Sequence, residues 1–271
     1  SEVDIPGISN DEAGAVAFLE GLSVDLRAGE GAAADGGVRT GDSNWRRWVD
    51  LSDEERQTVV SALLRRAIER GVPADAVDSL VGTTYTLTAE APGTELRDAS
   101  EFSTLLNATA RYERADVGLA VCLGDRQGAL ERAQTLLRNH RRNLSNGLDY
   151  VQETGVTRET NLQWFDAGDA IRETIVGIVA GMALGVDGVD GSIPILAFAA
   201  KNDEETKVSS RGTGRLVGQG LDLSAVMGEA AGAVGGAGGG HDVAAGATIP
   251  AGERETFLTE ADRIVGEQLG D

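Results

Sequence analysis

In the stretch GGAGGGHDVAAG, residues 235–246, a glycine run lies directly against a strand-like pattern. The stretch holds six glycines and one of the only two histidines in the chain of 271 residues. Glycine at this density is typical of a flexible linker. The overlapping segment DVAAGATIP (242–250) has instead the alternation of an ordered strand, which needs a sheet to join. We therefore expect an ordered backbone here.

The region around this stretch alternates two types of element. Predicted strands are LQWFDAG (162–168), IPILAFAA (193–200), TKVSSRG (206–212) and DVAAGATIP. Predicted helices are DLSAVMGEAAGAV (222–234) and AGERETFLTEADRIVGEQL (251–269), whereas the apolar run from Ile175 fits either a strand or a helix. Strands interspersed with helices predict an α/β fold in which a mixed β-sheet is flanked by helices.

The preceding residues are mainly helical. LSDEERQTVVSALLRRAIERG (51–71) begins with a capping box, Ser52 and Glu55, and ends at Gly71. Further predictions are a short helix over 9–22, an exposed loop over 27–42, a strand over 82–93, a helix over 99–113 and a long amphipathic helix over 126–154. Three regions follow: a mainly helical one (1–97), a segment with the long connecting helix (98–154) and a sheet-bearing domain (155–271).

The charge is strongly acidic. Twenty-four basic residues against 44 acidic ones give a net charge of −20, and Lys201 and Lys207 are the only lysines. Such a surface suits a cytoplasm with molar salt, in which the Debye length is about 3 Å and self-repulsion is screened. We expect a halophilic microbe as the source, since an acidic mesophilic protein would carry more lysine.

Several classes of protein are excluded by what the sequence lacks. Cys122 is the only cysteine, which excludes an intramolecular disulfide, and the most apolar run (173–188) is too short for a membrane span. We expect a soluble, cytoplasmic protein without a membrane partner. His140 and His241 lie far apart, and neither a zinc-protease motif, a nucleophile elbow nor a phosphate-binding P-loop occurs. The sequence therefore predicts no catalytic residue and no metal ligand in this chain.

Two segments have the chemistry of an anion site. KVSSRGTGR (207–215) places two hydroxyls beside an arginine, whose planar fork matches phosphate oxygens. The glycines of the opening stretch can present consecutive N–H groups to an anion, with a histidine beside them. The alternatives that stay open are an exposed loop with incidental arginines for the first segment and a buried structural histidine for the second.

In this order, the motifs resemble the DHHA1 domain and the region before it in archaeal RecJ-like proteins, which are single-strand-specific exonucleases of the DHH phosphoesterase family. The segments that carry the resemblance are IPGISNDEAGAVAFL (5–19), LLNATAR (105–111), ALERAQTLLRNHRRNL (129–144), ETIVGIVAGMAL (173–184), PILAFAA (194–200), SSRG (209–212) and GGGHDVAAG (238–246). Two family motifs differ slightly, because S-G-R is Ser209-Ser210-Arg211 here and N-A-A-G-R is Asn107-Ala108-Thr109-Ala110-Arg111.

The resemblance implies a domain that holds the nucleic-acid backbone and presents one end of it to a metal site elsewhere. It implies phosphate-binding roles for Ser209, Ser210, Arg211, Gly238, Gly239, Gly240 and His241, and for Asn107 and Arg111 from the other side. The Asp-His-His motif that names the family does not occur here. We expect the C-terminal part of a longer haloarchaeal enzyme, either as a fragment of it or as a naturally shortened paralogue. The resemblance implies Mn²⁺ or Mg²⁺ in the missing DHH domain, and we expect no hydrolysis by this chain alone.

The expected partners are the backbone of single-stranded DNA and the DHH catalytic domain. Two alternatives stay open at this point. One is a scaffold that associates with replication-fork or repair proteins, and the other is the substrate domain of an RNA-directed phosphoesterase or oligoribonuclease.

Overall fold

The structure is a computed structural model that describes residues 5, 7–8, 12–27, 45–46, 48–72, 74–78, 82–186 and 188–270. The chain divides into two compact units, Ser1–Leu106 and Asn107–Asp271. The loop predicted over 27–42 lies, from residue 28 onward, outside the described residues.

The described elements of the first unit are helical. They are α1 (Glu12–Glu20), a 3-10 turn at Trp48–Asp50, α2 (Asp53–Glu69), α3 (Ala74–Asp78) and the larger part of α4 (Ala99–Arg111), inside which the boundary between the units falls. The predicted capping box of α2 is confirmed: Glu55 N donates to Ser52 Oγ at 3.2 Å, and Ser52 N donates to the Glu55 carboxylate at 2.7 Å.

The strand predicted over 82–93 is wrong. Residues 82–89 are all exposed, so the alternation has no apolar face to bury, and only Thr86 forms an isolated bridge, to Asp98.

The second unit contains the sheet. Its elements are α5 (Ala115–Cys122), α6 (Gly128–Thr154), β1 (Thr157–Arg158), β2 (Gln163–Asp166), α7 (Val176–Ala183), β3 (Ile195–Ala200), β4 (Glu205–Arg211), α8 (Gly214–Gly218), α9 (Leu223–Ala233), β5 (Ala237–Gly240), β6 (Ala244–Pro250) and α10 (Arg254–Leu269). The apolar run that fitted either element is therefore a helix, α7. The glycine run is a strand, β5, which the sequence analysis did not predict.

The six strands lie in the order β1-β2-β3-β4-β6-β5. β2 and β3 are parallel, whereas the other neighbouring pairs are antiparallel. This arrangement confirms the predicted α/β class with a mixed sheet flanked by helices.

Strand alternation gives each face of the sheet its own core. On one face, Phe198 and Val208 pack with Met227 of α9 and Phe257 of α10. On the other face, Ile195 and Ala197 of β3 pack with α7 and with the C-terminal half of α6. The second unit is thus a sheet between two helical layers, with α7 and α6 on one face and α9 and α10 on the other.

β5 lies so close to α9 that one glycine is required there. A Cβ on Gly238 would lie 2.3 Å from the carbonyl oxygen of Met227. We expect Gly238→Ala to lower the free energy of unfolding by about 1–3 kcal/mol, because backbone atoms must move apart. The matched control is Gly232→Ala, which has open space around the new methyl group in α9 and should stabilise by roughly 0.5–1 kcal/mol. Urea unfolding followed by circular dichroism measures both, and equal effects would contradict this packing.

The capping box also makes the stability of the first unit depend on pH in the acid range. The bidentate hydrogen bond from Arg46 at 2.8 and 2.9 Å, and then the Ser52 N–H, lower the pKa of Glu55 to about 2. A carboxyl whose folded pKa is depressed stabilises the fold above its unfolded pKa, and this contribution disappears as the pH falls towards the folded value.

We therefore expect the unfolding temperature of the first unit to decrease as the pH is lowered from about 4.5 to about 2. The Glu55→Gln variant should show a smaller decrease over the same pH range. In a Trp164→Phe background the fluorescence of Trp45 and Trp48 reports this unit alone, and Glu54→Gln serves as the control. The expectation fails if both variants follow the same pH curve.

Candidate anion-binding site

A cavity of about 240 Å³ lies on the α7 side of the sheet. Its lining comes from β4, β5, β6, α7 and the end of α4: Arg111, Glu173, Gly177, Ile178, Lys207, Ser209, Arg211, Gly239, Ala244, Ala245 and Gly246. Alternation along β4 places Lys207, Ser209 and Arg211 on the same face, two residues apart. One strand therefore supplies two cations and a hydroxyl to the cavity.

Gly177 lets α7 approach this strand closely. A Cβ at this position would lie 2.5 Å from Arg211 Nη2 and 3.0 Å from Ser209 Oγ. Gly177 and Ile178 belong to the first turn of α7, which is the positive end of the helix dipole. The glycine thus brings a partial positive charge to the wall of a cavity that already contains cations.

The guanidinium of Arg211 is half-buried and has no acidic partner among the described residues. Its Nη1 donates to its neighbour's carbonyl, Ser210 O, at 2.7 Å. Burial first, and then the positive charge of Arg111, lower the pKa of Arg211. Within the described part of the chain, no carboxylate lies within 4.0 Å of Arg111, Lys207 or Arg211.

Arg111 is held at the same cavity by the turn before α7. Its Nη1 donates to Thr174 O at 3.0 Å, which leaves the rest of its exposed guanidinium free to face a ligand. Glu173 is the one carboxylate of the described lining, against three cations. Because the half-buried Arg211 lies beside a second cation, and burying a charge is unfavourable without a counter-charge, the arrangement favours a bound anion.

The structure brings together part of the predicted set. Ser209, Arg211, Gly239 and Arg111 line the cavity. Ser210 points to the opposite face, where its buried hydroxyl donates to Ala245 O at 3.2 Å. Its predicted phosphate contact therefore has no support from this geometry.

His241 and the other two predicted glycines, Gly238 and Gly240, lie outside the lining of the cavity. His241 is exposed in the tight turn between β5 and β6, where its N–H donates to Ala244 O at 2.9 Å. The N–H of Gly240 donates to Ser224 Oγ at 3.2 Å, and its φ of 152° requires glycine. Gly238 packs against α9, and Asn107 is exposed on α4. The phosphate-binding roles of these residues stay predictions.

Seven lining residues were not predicted from the sequence: Glu173, Gly177, Ile178, Lys207, Ala244, Ala245 and Gly246. The signal for Lys207 was available, since a residue two positions before Ser209 on a strand shares its face. Gly177 required the helical assignment of α7, which the apolar run left undecided.

The described residues contain no group of three His, Cys, Asp or Glu side chains that could hold a metal ion. The metal that the family resemblance implies therefore does not fit these residues, and no catalytic step is assigned to them. Of the described helices, none is both long enough and apolar enough to cross a membrane.

The matched family models agree with the resemblance. Residues 1–81 match the DHH-CID domain, and residues 160–267 match the DHHA1 domain. The chain is also 34% identical, over 175 residues, to an uncharacterized protein of Methanocaldococcus jannaschii, an alignment that covers 65% of this chain and 37% of that protein.

Solved structures of similar fold are those of RecJ from Thermus thermophilus in complex with Mn²⁺ and with Mg²⁺. Each has a TM-score of 0.52 and 17% identity and covers 78% of this chain, and the chain covers 30% and 31% of the respective RecJ chains. The chain thus spans about a third of the length of these relatives. The chain thus contains two matched domains, DHH-CID and DHHA1, and shares a fold with the RecJ structures.

The close approach at Gly177 is directly testable. We expect Gly177→Ala to push the Arg211 guanidinium aside and to weaken pyrophosphate binding about 10-fold, the size of one lost charge-assisted hydrogen bond. The control lies one turn further along α7: a methyl group on Gly181 would meet Arg211 Cδ at an ordinary 3.6 Å and should leave binding unchanged. Isothermal titration calorimetry measures both, and a Gly177→Ala variant that binds like the wild type would contradict this geometry.

Proposed function

We propose that this chain binds the phosphate backbone of single-stranded nucleic acid and positions it for a metal-dependent phosphodiesterase domain of the same DHH-family protein. The observation that carries the proposal is the half-buried Arg211, which lies beside Arg111 and lacks a carboxylate partner among the described residues. A cation pair of this kind needs a counter-charge, and a ligand phosphate supplies it.

The chemistry of the lining favours phosphate over other anions. A guanidinium offers parallel N–H donors that match two phosphate oxygens, and Ser209 Oγ lies on the same face of β4. The positive end of α7 adds a favourable dipole for a charged oxygen. Lys207 extends the positive lining further along the strand, where a neighbouring phosphate of the same strand would come.

The net charge of −20 is compatible with such a ligand. Affinity from the release of counterions falls steeply with salt, so a broad basic surface would gain little in a saline cytoplasm. Short hydrogen bonds from a few fixed arginines are screened less. We therefore expect binding that is local and depends on few phosphates, with a correspondingly shallow salt dependence.

The chemical step belongs, in this proposal, to Mn²⁺ or Mg²⁺ in the DHH domain. The residues described here bind and orient the backbone, and we expect the chain alone not to hydrolyse it. RNA is the alternative substrate, because none of the described lining residues makes a contact that would distinguish RNA from DNA by its 2′-hydroxyl.

A second candidate function is a protein-interaction role of the first unit. Large apolar side chains are exposed there: Trp48, Ile68 and Tyr85 have relative exposures of 50%, 66% and 74%. Exposed apolar side chains that form one contiguous patch are typical of contact surfaces. Replication or repair proteins are the partners that the family resemblance suggests for this role.

Binding of labelled single strands separates these functions. We expect Arg211→Ala to weaken binding by at least about 10-fold in fluorescence anisotropy at high KCl, with DNA and RNA strands compared side by side. The control is Arg215→Ala, which removes an exposed arginine of α8 outside the cavity lining and should leave affinity unchanged.

If the wild type binds and Arg211→Ala binds equally well, the phosphate assignment is wrong. If neither polymer binds while replication proteins are retained in a pull-down, the interaction role is the function of this chain.

A further inference from the structure

An arginine–tyrosine pair adjoins the anion cavity. The turn before α7 contains Thr174, whose carbonyl accepts from Arg111, and Glu173, which lines the cavity. The residue before them, Arg172, places its guanidinium carbon 5.1 Å from the ring centroid of Tyr112. Tyr112 directly follows Arg111 in sequence. Each member of the pair is therefore adjacent in sequence to a residue that lines the cavity, which the proposed function assigns to phosphate.

Tyr112 is fixed by its own contacts. Its ring makes an edge contact with the ring of the buried His140, with centroids 5.9 Å apart and planes at 86°. Its hydroxyl accepts from Asn143 Nδ2 at 2.6 Å. The next residue, Glu113, has a φ of 58° and is the only described non-glycine residue with positive φ. This strained backbone lies directly after the end of α4, and the chain changes direction next to Tyr112.

Arg172 combines a fixed backbone with an open side chain. Its carbonyl accepts from the N–H groups of Ile175 and Val176, both at 3.0 Å, at the start of α7. Its side chain is exposed, and no carboxylate of the described residues lies within 4.0 Å, although the chain carries 44 acidic residues. A guanidinium that rests on an aromatic ring presents a flat surface to solvent, since arginine stacks through its plane.

We propose that Arg172, supported by Tyr112, is a stacking platform for one nucleobase of a single strand whose phosphate occupies the Arg111–Arg211 cavity. The inference rests on the proposed function and extends it from the phosphate to the base. Every base has a π-face, so the platform accepts any sequence. A base within a duplex is already stacked on both sides, so the platform also selects for single strands. Arg172 contacts the base, whereas Tyr112 acts as a positioning residue.

A coupling experiment distinguishes stacking from mere charge. The ligand is a labelled oligodeoxythymidylate that carries a single abasic site, moved one position at a time, with anisotropy read at high KCl. We expect Arg172→Ala to weaken binding of the intact strand by roughly 5–50-fold. At one position of the abasic site, Arg172→Ala should cost nothing further, because the base that it contacts is already absent.

Three further variants test how the platform works. Arg172→Lys keeps the charge but loses the plane and should bind nearly as weakly as Arg172→Ala. Tyr112→Leu should show the same position-dependent loss as Arg172→Ala, whereas Tyr112→Phe, which keeps the ring but loses the hydrogen bond from Asn143, should show a smaller loss at the same position. Unfolding temperatures of the two Arg172 variants should equal that of the wild type, since this side chain is exposed.

Two outcomes overturn the platform. One is an unchanged affinity in Arg172→Ala, and the other is a loss that is the same at every abasic position or is rescued by Arg172→Lys, which would make Arg172 a simple charge. Failure of the phosphate cavity is seen separately, as an Arg211→Ala variant that binds like the wild type. A chain that binds no single strand contradicts both proposals.

Discussion

The half-buried guanidinium of Arg211 is the constraint on which the site depends. It lies against Gly177 of α7 and beside Arg111, and none of the described carboxylates forms an ion pair with it. Taking a cation out of water is unfavourable unless another charge compensates. The fold imposes this cost at the same point where a helix N-terminus and a serine hydroxyl converge. An anion from outside the chain is the simplest compensation.

The position of that guanidinium follows from the alternation of β4. Val208 and Ser210 point to the core shared with α9 and α10, so Ser209 and Arg211 must point to the α7 side. A shift of one residue in register would bury the arginine and expose the core. The stability of the sheet and the geometry of the anion site are therefore fixed by the same strand pairings.

Much of the second unit was predictable from the sequence because side-chain patterns carried the signal. The strands β2, β3, β4 and β6, the helices α6, α9 and α10, and the α/β class follow from periodicity. The strand β5 does not, because glycines have no side chains to alternate and only pairing with β6 makes them a strand. The segment 82–93 shows the converse, since its alternation has no partner to bury against.

The site was predictable only in part for a similar reason. Ser209 and Arg211 share a short motif, and the family resemblance pointed to Arg111, but Gly177 enters through the packing of α7 on β4. The motif also grouped Ser210 with its neighbours, although strand geometry sends its side chain to the other face. His241 belongs to the same stretch as Gly239, residues 235–246, and the turn after β5 places it outside the cavity lining. Sequence order alone does not specify such directions.

If an anion compensates the charge of Arg211, crystals of the chain soaked in selenate will show it at that side chain. The anomalous signal of selenium locates the tetrahedral anion without any assumption about the ligand. We expect a peak within hydrogen-bond distance of Arg211, Ser209 and Arg111, and its loss in Arg211→Ala crystals. An ordered site with no peak at Arg211, in crystals that hold selenate elsewhere on the chain, would contradict this expectation.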